Sequence, residues 1–256
     1  MKKFVIFIVL ACVNAQAQAI VNIETQRLHT RVADTGMDGY INLTVNGESG
    51  NTQTLSAGLA THLEWYSPAT TELIIFSYDY GESNQVKDTD KQFLHFRKMW
   101  HMDKQFSWES YLQFESNAFT RLKLRALIGG GARYRLSVDN PSIESTLGGG
   151  LFYSKEQLDD STVTLEQETD TTTRVNTYWI FKQAINKQAR WINTIYFQPD
   201  IERLVDYRLL EQFSFQVDIL DELSINLSLD VSRDNQPPVN VKNTDTAYST
   251  SLEYRF

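Results

Sequence analysis

The 256-residue chain carries 24 Lys and Arg against 32 Asp and Glu, a formal net charge of -8; this acid surplus argues against nucleic acid as a partner, since phosphate binding runs on Lys and Arg releasing counterions. No apolar run is longer than Phe4–Val13, short of the about 20 residues of a membrane-spanning helix. Aromatic residues still make up 12%, and a transmembrane β-barrel reconciles the two observations, because its apolar residues alternate singly with polar ones and vanish from a windowed average.

Residues 1–19 have the three parts of a secretory signal: Lys2 and Lys3, the apolar stretch, then Ala15-Gln16-Ala17-Gln18-Ala19 with two overlapping A-x-A cleavage sites. Cleavage is expected after Ala19, leaving a charge of about -10. Cys12 is the only cysteine and lies inside the signal, so the exported protein is expected to have no thiol, disulfide or Cys-based metal site. Val9-Leu10-Ala11-Cys12 loosely resembles a lipoprotein box, but the A-x-A pair beyond it favours an ordinary signal. Residues 20–35 read as a periplasmic N-terminal segment and 36–256 as the barrel.

Period-2 alternation then recurs to the end of the chain, as it does when successive strand side chains point to opposite faces. It marks segments near 37–46, 53–66, 72–81, 92–102, 106–115, 122–136, 143–154, 173–183, 189–197, 207–219, 223–232 and 246–256. The cleanest is 223–232, where Leu223, Ile225, Leu227, Leu229 and Val231 alternate with Ser224, Asn226, Ser228, Asp230 and Ser232. The expected fold is all-β: a transmembrane antiparallel up-and-down β-barrel of about 12 strands. Tight connections such as Ser67-Pro68-Ala69-Thr70 and Asp103-Lys104-Gln105 alternate with mostly longer ones near 82–91, 116–121, 155–172, 198–206 and 233–245, as when short turns face the periplasm.

A soluble barrel would hide its apolar face inside, but about eight strands already give an interior that side chains can fill. Twelve with an oily lumen would leave a void, so the apolar face is expected to meet lipid. Trp65, Trp100, Trp108, Tyr134, Trp191 and Tyr254 fall toward the short-turn side, and Tyr78, Tyr80, Tyr153, Phe197 and Tyr207 toward the long-loop side, as two interfacial girdles. Lys98 and Glu211 fit badly, since both place a charge on the lipid face.

The opposite face predicts a charged lumen of mixed sign: Arg125, Arg133, Arg135, Arg174, Lys182 and Arg208 share it with Glu109, Glu115, Asp230 and Glu253. Such a lumen is either an internal ion-pair network bracing a narrow barrel or a constriction selecting small charged or polar solutes. The triplets Gly129–Gly131 and Gly148–Gly150 come into register if the hairpin pivots between Asp139 and Asn140, so that Gly130 faces Gly149. They either let the wall coil sharply or leave room for a plug or a solute. Glu156, Asp159, Asp160, Glu166, Glu168 and Asp170 make the longest outer loop acidic, a solvated charge run without calcium-loop spacing.

Tyr248, Thr250, Leu252, Tyr254 and Phe256 form one face of the last strand. This resembles the C-terminal signature of bacterial outer-membrane barrels, through which the periplasmic assembly machinery recognises its clients. Asp234, Pro237, Pro238, Val241, Lys242, Thr244 and Asp245, with the closing Leu252-Glu253-Tyr254-Arg255-Phe256, resemble the hallmark of the salt-induced outer-membrane proteins, domain of unknown function 481 (DUF481). Gly47–Thr52 and Phe114–Tyr134, with Arg121, Leu122, Leu124, Arg125 and the first glycine triplet, are similar to that family's first hairpin and central segment. The resemblance implies a porin-like barrel in the outer membrane of a Gram-negative cell, in contact with lipid and lipopolysaccharide. The family brings no catalytic residues.

No catalytic, metal or cofactor pattern emerges. The histidines are His29, His62, His95 and His101, and none lies near a G-x-S-x-G motif. The expected function is a passive narrow channel or an envelope-structural barrel. The alternatives are a lipase- or protease-type barrel enzyme, or a surface-interaction module using the loops 82–91 and 155–172.

Overall fold

The computed structural model describes residues 35–48, 54–84, 86–118, 122–136, 142–158, 169–237 and 243–256. The expected signal, its cleavage site and most of the 20–35 segment lie outside these. Twelve strands follow in chain order: β1 Gly36–Glu48, β2 Thr54–Tyr66, β3 Thr70–Ser83, β4 Val86–His101, β5 Phe106–Asn117, β6 Leu122–Arg135, β7 Ile143–Leu158, β8 Thr169–Ala184, β9 Ala189–Pro199, β10 Tyr207–Asp218, β11 Leu223–Asp234 and β12 Thr244–Arg255. Each pairs antiparallel with its chain neighbours, and β12 returns to β1, so the sheet closes into a barrel. With the usual strand spacing and a tilt near 40°, twelve strands give a backbone radius of about 12 Å.

Side-chain alternation sorts the two faces of the wall. On β11, Ile225, Leu227 and Leu229 stand exposed on the outside while Ser224 and Ser232 are buried within. Trp65, Trp108, Tyr134 and Tyr254 project outward near the short turns, and Tyr153 and Phe197 near the opposite rim. Phe181, Trp191 and Phe213 make a continuous aromatic contact across β8, β9 and β10, with ring centroids 5.0 and 5.8 Å apart. A band of apolar side chains flanked by aromatic rings is the surface that acyl chains and headgroups require.

Closure depends on the end of the chain. The β1–β12 register runs from Tyr40↔Arg255 to Leu43↔Leu252. Phe256 extends it by exchanging backbone hydrogen bonds with Gly39, donating to its carbonyl at 3.1 Å and accepting from its N–H at 3.2 Å. The Phe256 ring packs so closely over Gly39 that a Cβ there would lie 2.9 Å from it.

The structure corrects the sequence expectations at four places. The expected long connection 82–91 is largely strand, because β3 runs to Ser83, β4 starts at Val86, and Asn84 turns the chain at a φ of 50°. Glu82, Lys87, Asp90 and Lys91 are polar whichever way they point, so hydrophobic alternation stops where the hairpin clears the lipid although its backbone ladder continues. Likewise both ends of the loop expected at 155–172 are strand, since β7 runs to Leu158 and β8 starts at Thr169, which puts Glu156 inside the barrel on β7. The glycine register is shifted by two: Gly131 pairs with Gly150, and Gly130 with Leu151. A shift of two preserves the faces.

Finally, the lumen is not uniformly charged. Leu73, Ile75, Phe93 and Met99 form one buried apolar cluster on β3 and β4. Tyr178, Ile180, Ile192, Tyr196 and Leu210 form another on β8, β9 and β10. Their strands are apolar on both faces locally, as in Leu73-Ile74-Ile75-Phe76, so parity alone does not separate the inward residues from the outward ones.

At Gly150 a Cβ would lie 2.2 Å from the backbone oxygen of Gly130, whereas at Gly149 it would point into open space outside the wall. Two adjacent substitutions should therefore behave oppositely. Gly150→Ala is expected to lose about 1–3 kcal/mol and Gly149→Ala to stay within about 0.5 kcal/mol of the parent, read as the temperature at which the folded band on a denaturing gel gives way to the unfolded one.

Candidate functional site

The lumen holds the chain's concentrated chemistry, and its centre is Glu109 on β5. This carboxylate is 2% exposed and accepts from Arg97 of β4 at 3.1 Å and from Arg133 of β6 at 3.4 Å. The Tyr178 hydroxyl on β8 donates to its other oxygen at 2.7 Å and accepts from Arg133 at 3.1 Å. Both guanidinium groups also lie over aromatic faces, Arg97 5.0 Å from the Tyr111 ring centre and Arg133 5.3 Å from that of Tyr178.

The glycines explain how β5 reaches β8 across two intervening strands. Gly129 and Gly148 face inward, and a Cβ on either would strike the Tyr111 ring at 2.5 Å or the Tyr178 ring at 1.9 Å. The room left by the missing side chains is thus occupied by two tyrosines of the barrel itself. Their hydroxyls complete the bridge: Asn176 donates to Tyr111 at 3.0 Å, and Gln198 donates to the Asn176 carbonyl at 2.9 Å.

A second cluster lies toward the long-loop rim. Glu156 accepts from Arg125 at 2.8 Å and from Arg208 at 2.9 Å, which joins β7 to β10. Arg125 also holds Glu115 at 3.2 Å, and Arg208 holds Asp234 at 3.1 Å. Nearby, Arg174 donates to the Asp206 carboxylate at 2.9 Å and to the carbonyl oxygens of Gln198 and Asp206. At the short-turn mouth, Asp218 lies 3.5 Å from Arg190 and 3.6 Å from Arg255, while Glu253 accepts from Gln216 at 2.9 Å.

The structure places Arg125, Arg133, Arg135, Arg174, Arg208, Glu109 and Glu115 on the inward face and joins six of them to the clusters above, Arg135 pairing in register with buried Thr146. It places Tyr248, Leu252, Tyr254 and Phe256 together on the exposed outer face beside the closing seam. Sequence reasoning missed Arg97, Glu156, Asp206, Asp218 and Asp234. Arg97 shares the parity of the inward Phe93, His95 and Met99, so the signal was present on β4. Asp218 likewise shares the parity of the inward Arg208 within the 207–219 segment, whereas Glu156, Asp206 and Asp234 had no such signal, because they sit where alternation ends.

The histidines of the described residues also face inward. His62 lies 3.3 Å from Glu64 and stacks on Tyr40, His95 meets Gln113 at 3.2 Å, and His101 meets Ser107 at 3.0 Å and Thr71 at 2.8 Å. Among the described residues, no three His, Cys, Asp or Glu side chains are grouped to hold a metal ion.

A family model described as protein of unknown function, DUF481, matches residues 41–256, from β1 to the last residue. The chain belongs to that family. The structure is similar to the translocator domain of autotransporter NalP from Neisseria meningitidis, with a TM-score of 0.51 at 14% identity over 91% of this chain and 92% of that one. Two porins, KdgM in complex with disordered oligogalacturonate and NanC, give TM-scores of 0.49 at 9% and 8% identity, over 86% of this DUF481 chain and 99% of each porin. At such identities the likeness is one of fold, that of an outer-membrane barrel. No curated protein matches this DUF481 chain in sequence.

Removing one member of a buried charge cluster strands the others, at a cost of about 3–5 kcal/mol, whereas losing a hydrogen bond to a charged group costs about 1.5–3 kcal/mol. Glu109→Gln should therefore lower the unfolding temperature of the gel-resistant form more than Tyr178→Phe does, and equal effects would show that Glu109 does not anchor both arginines.

Proposed function

We propose that this DUF481 chain resides in the outer membrane as a passive, narrow barrel that conducts small ions and polar solutes. The observation that carries the reading is the pairing inside the lumen: inward arginines and carboxylates from nine strands, β4 to β12, pair with opposite sign rather than gathering into a single-sign ring. Rings of one sign make a strongly ion-selective pore; balanced clusters favour weak selectivity. The same ion pairs brace neighbouring and more distant strands, so structural and conducting roles share residues. In this reading the His101–Ser107 contact holds the short-turn mouth and is not a hydrolase centre. The outward row Tyr248, Leu252, Tyr254 and Phe256 is read as the element that the barrel-assembly machinery recognises.

Asp218 at the short-turn mouth offers the test. In planar bilayers the wild type should show small, ohmic and weakly selective conductance. Asp218→Asn removes the carboxylate that Arg190 and Arg255 share and leaves Arg255 only Glu253, so it should move the reversal potential toward anion preference at about 0.1 M salt and lose the effect near 1 M, where the screening length falls to about 3 Å. An absence of conductance in correctly folded, heat-modifiable protein would remove the channel reading.

A further inference from the structure

The outer wall carries a charged pair that the lumen does not use. Glu72 of β3 and Lys98 of β4 are register partners joined in an ion pair, and their side chains are 48% and 42% exposed on the outward face. The Lys98 ammonium also lies 5.8 Å from the centre of the Trp100 ring. Glu72 is two residues from the short-turn end of β3 and Lys98 three from that of β4, which sets both at headgroup depth. Lys98 by itself would be a charge facing lipid; with Glu72 it becomes one end of a built feature.

Two residues further toward the middle of the wall, Ile74, Phe96, Leu112 and Ile128 follow one another in register across β3, β4, β5 and β6. This apolar row, the Glu72–Lys98 pair and Trp65 enclose a groove of about 540 Å³. The groove is amphipathic along its length, polar at the short-turn rim and hydrocarbon toward the membrane centre. A single phospholipid has that profile.

The charges decide which one. Lys98 is complementary to a phosphodiester, and Glu72 can accept hydrogen bonds from a primary ammonium. A net-anionic headgroup brings the same phosphodiester but no cation for Glu72, and a quaternary ammonium has no N–H to donate. An exposed ion pair is worth only about 0–1 kcal/mol, so it opens readily when both partners gain headgroup contacts. We infer that this groove binds one zwitterionic, primary-amine phospholipid of the phosphatidylethanolamine type, from the leaflet on the short-turn side. The inference rests on the membrane placement proposed above and not on conductance.

The full barrel, reconstituted in vesicles containing equal parts of phosphatidylethanolamine, phosphatidylcholine and phosphatidylglycerol with identical acyl chains, is extracted in mild detergent, and its retained lipid is counted by native mass spectrometry. Wild type should keep one phosphatidylethanolamine per barrel with roughly tenfold preference over either competitor. Glu72→Gln and Lys98→Gln should lose the preference, while Glu211→Gln, at an outward charge on the β9–β10 side of the wall, should keep it. Equal retention of the three lipids by the wild type, or an undiminished preference in Glu72→Gln, would overturn the inference; the wild-type comparison stands even if a variant fails to fold. A barrel that retains the lipid and conducts nothing would overturn only the channel reading.

Discussion

Every other feature of this molecule depends on the closure of its hydrogen-bond ladder. Hydrocarbon offers no partner to a backbone N–H or C=O, and an open sheet edge within it would leave a row of them unsatisfied. The chain meets this demand where its two ends meet, β1 against β12, with Phe256 contributing the outermost backbone bonds of the seam. Gly39 is part of the same solution, since only a residue without a side chain admits the Phe256 ring so close to the backbone. The final residue is therefore a structural member of the wall.

Closure creates a second problem, an interior about 12 Å in backbone radius that must not bury unpaired charge. The chain resolves it asymmetrically. Glycines on β6 and β7 lower the wall so that Tyr111 and Tyr178 lie across it, and the tyrosine hydroxyls tie β5 to β8 through Glu109 and Asn176. On β3 and β4, and again on β8 to β10, apolar clusters replace charge. Nearer the long-loop rim, Glu156 joins β7 to β10 through Arg208. Contacts that skip two strands resist ovalisation of the barrel in a way that neighbour-to-neighbour ladder bonds cannot.

The sequence discloses most of this wall and little of its interior. Alternation as regular as Leu223 to Ser232 fixes a strand and its faces, and twelve such segments fix the strand number, because lipid on one side and polar groups on the other impose period two. Where that contrast fades, the reading fails. The 82–91 hairpin is polar on both faces and reads as a loop, Glu156 reads as loop for the same reason, and Leu73 and Ile75 hide among outward neighbours equally apolar. Parity identifies Arg125, Arg133 and Glu109 as inward, yet their partners depend on the register between strands and on which side chains the glycines admit. A two-residue slip of the β6–β7 hairpin, which keeps every face, changes which glycines oppose each other.

The closing seam gives the most direct test of the account. In a Cys12→Ser background, cysteines placed at Leu43 and Leu252, which are register partners on the outer face, should form a disulfide within the membrane and yield a covalently circular band on a denaturing gel. The offset pair at Leu43 and Tyr254 should not. Absence of the first cross-link in folded, membrane-extracted protein, or equal cross-linking of both pairs, would contradict a closed barrel with this register.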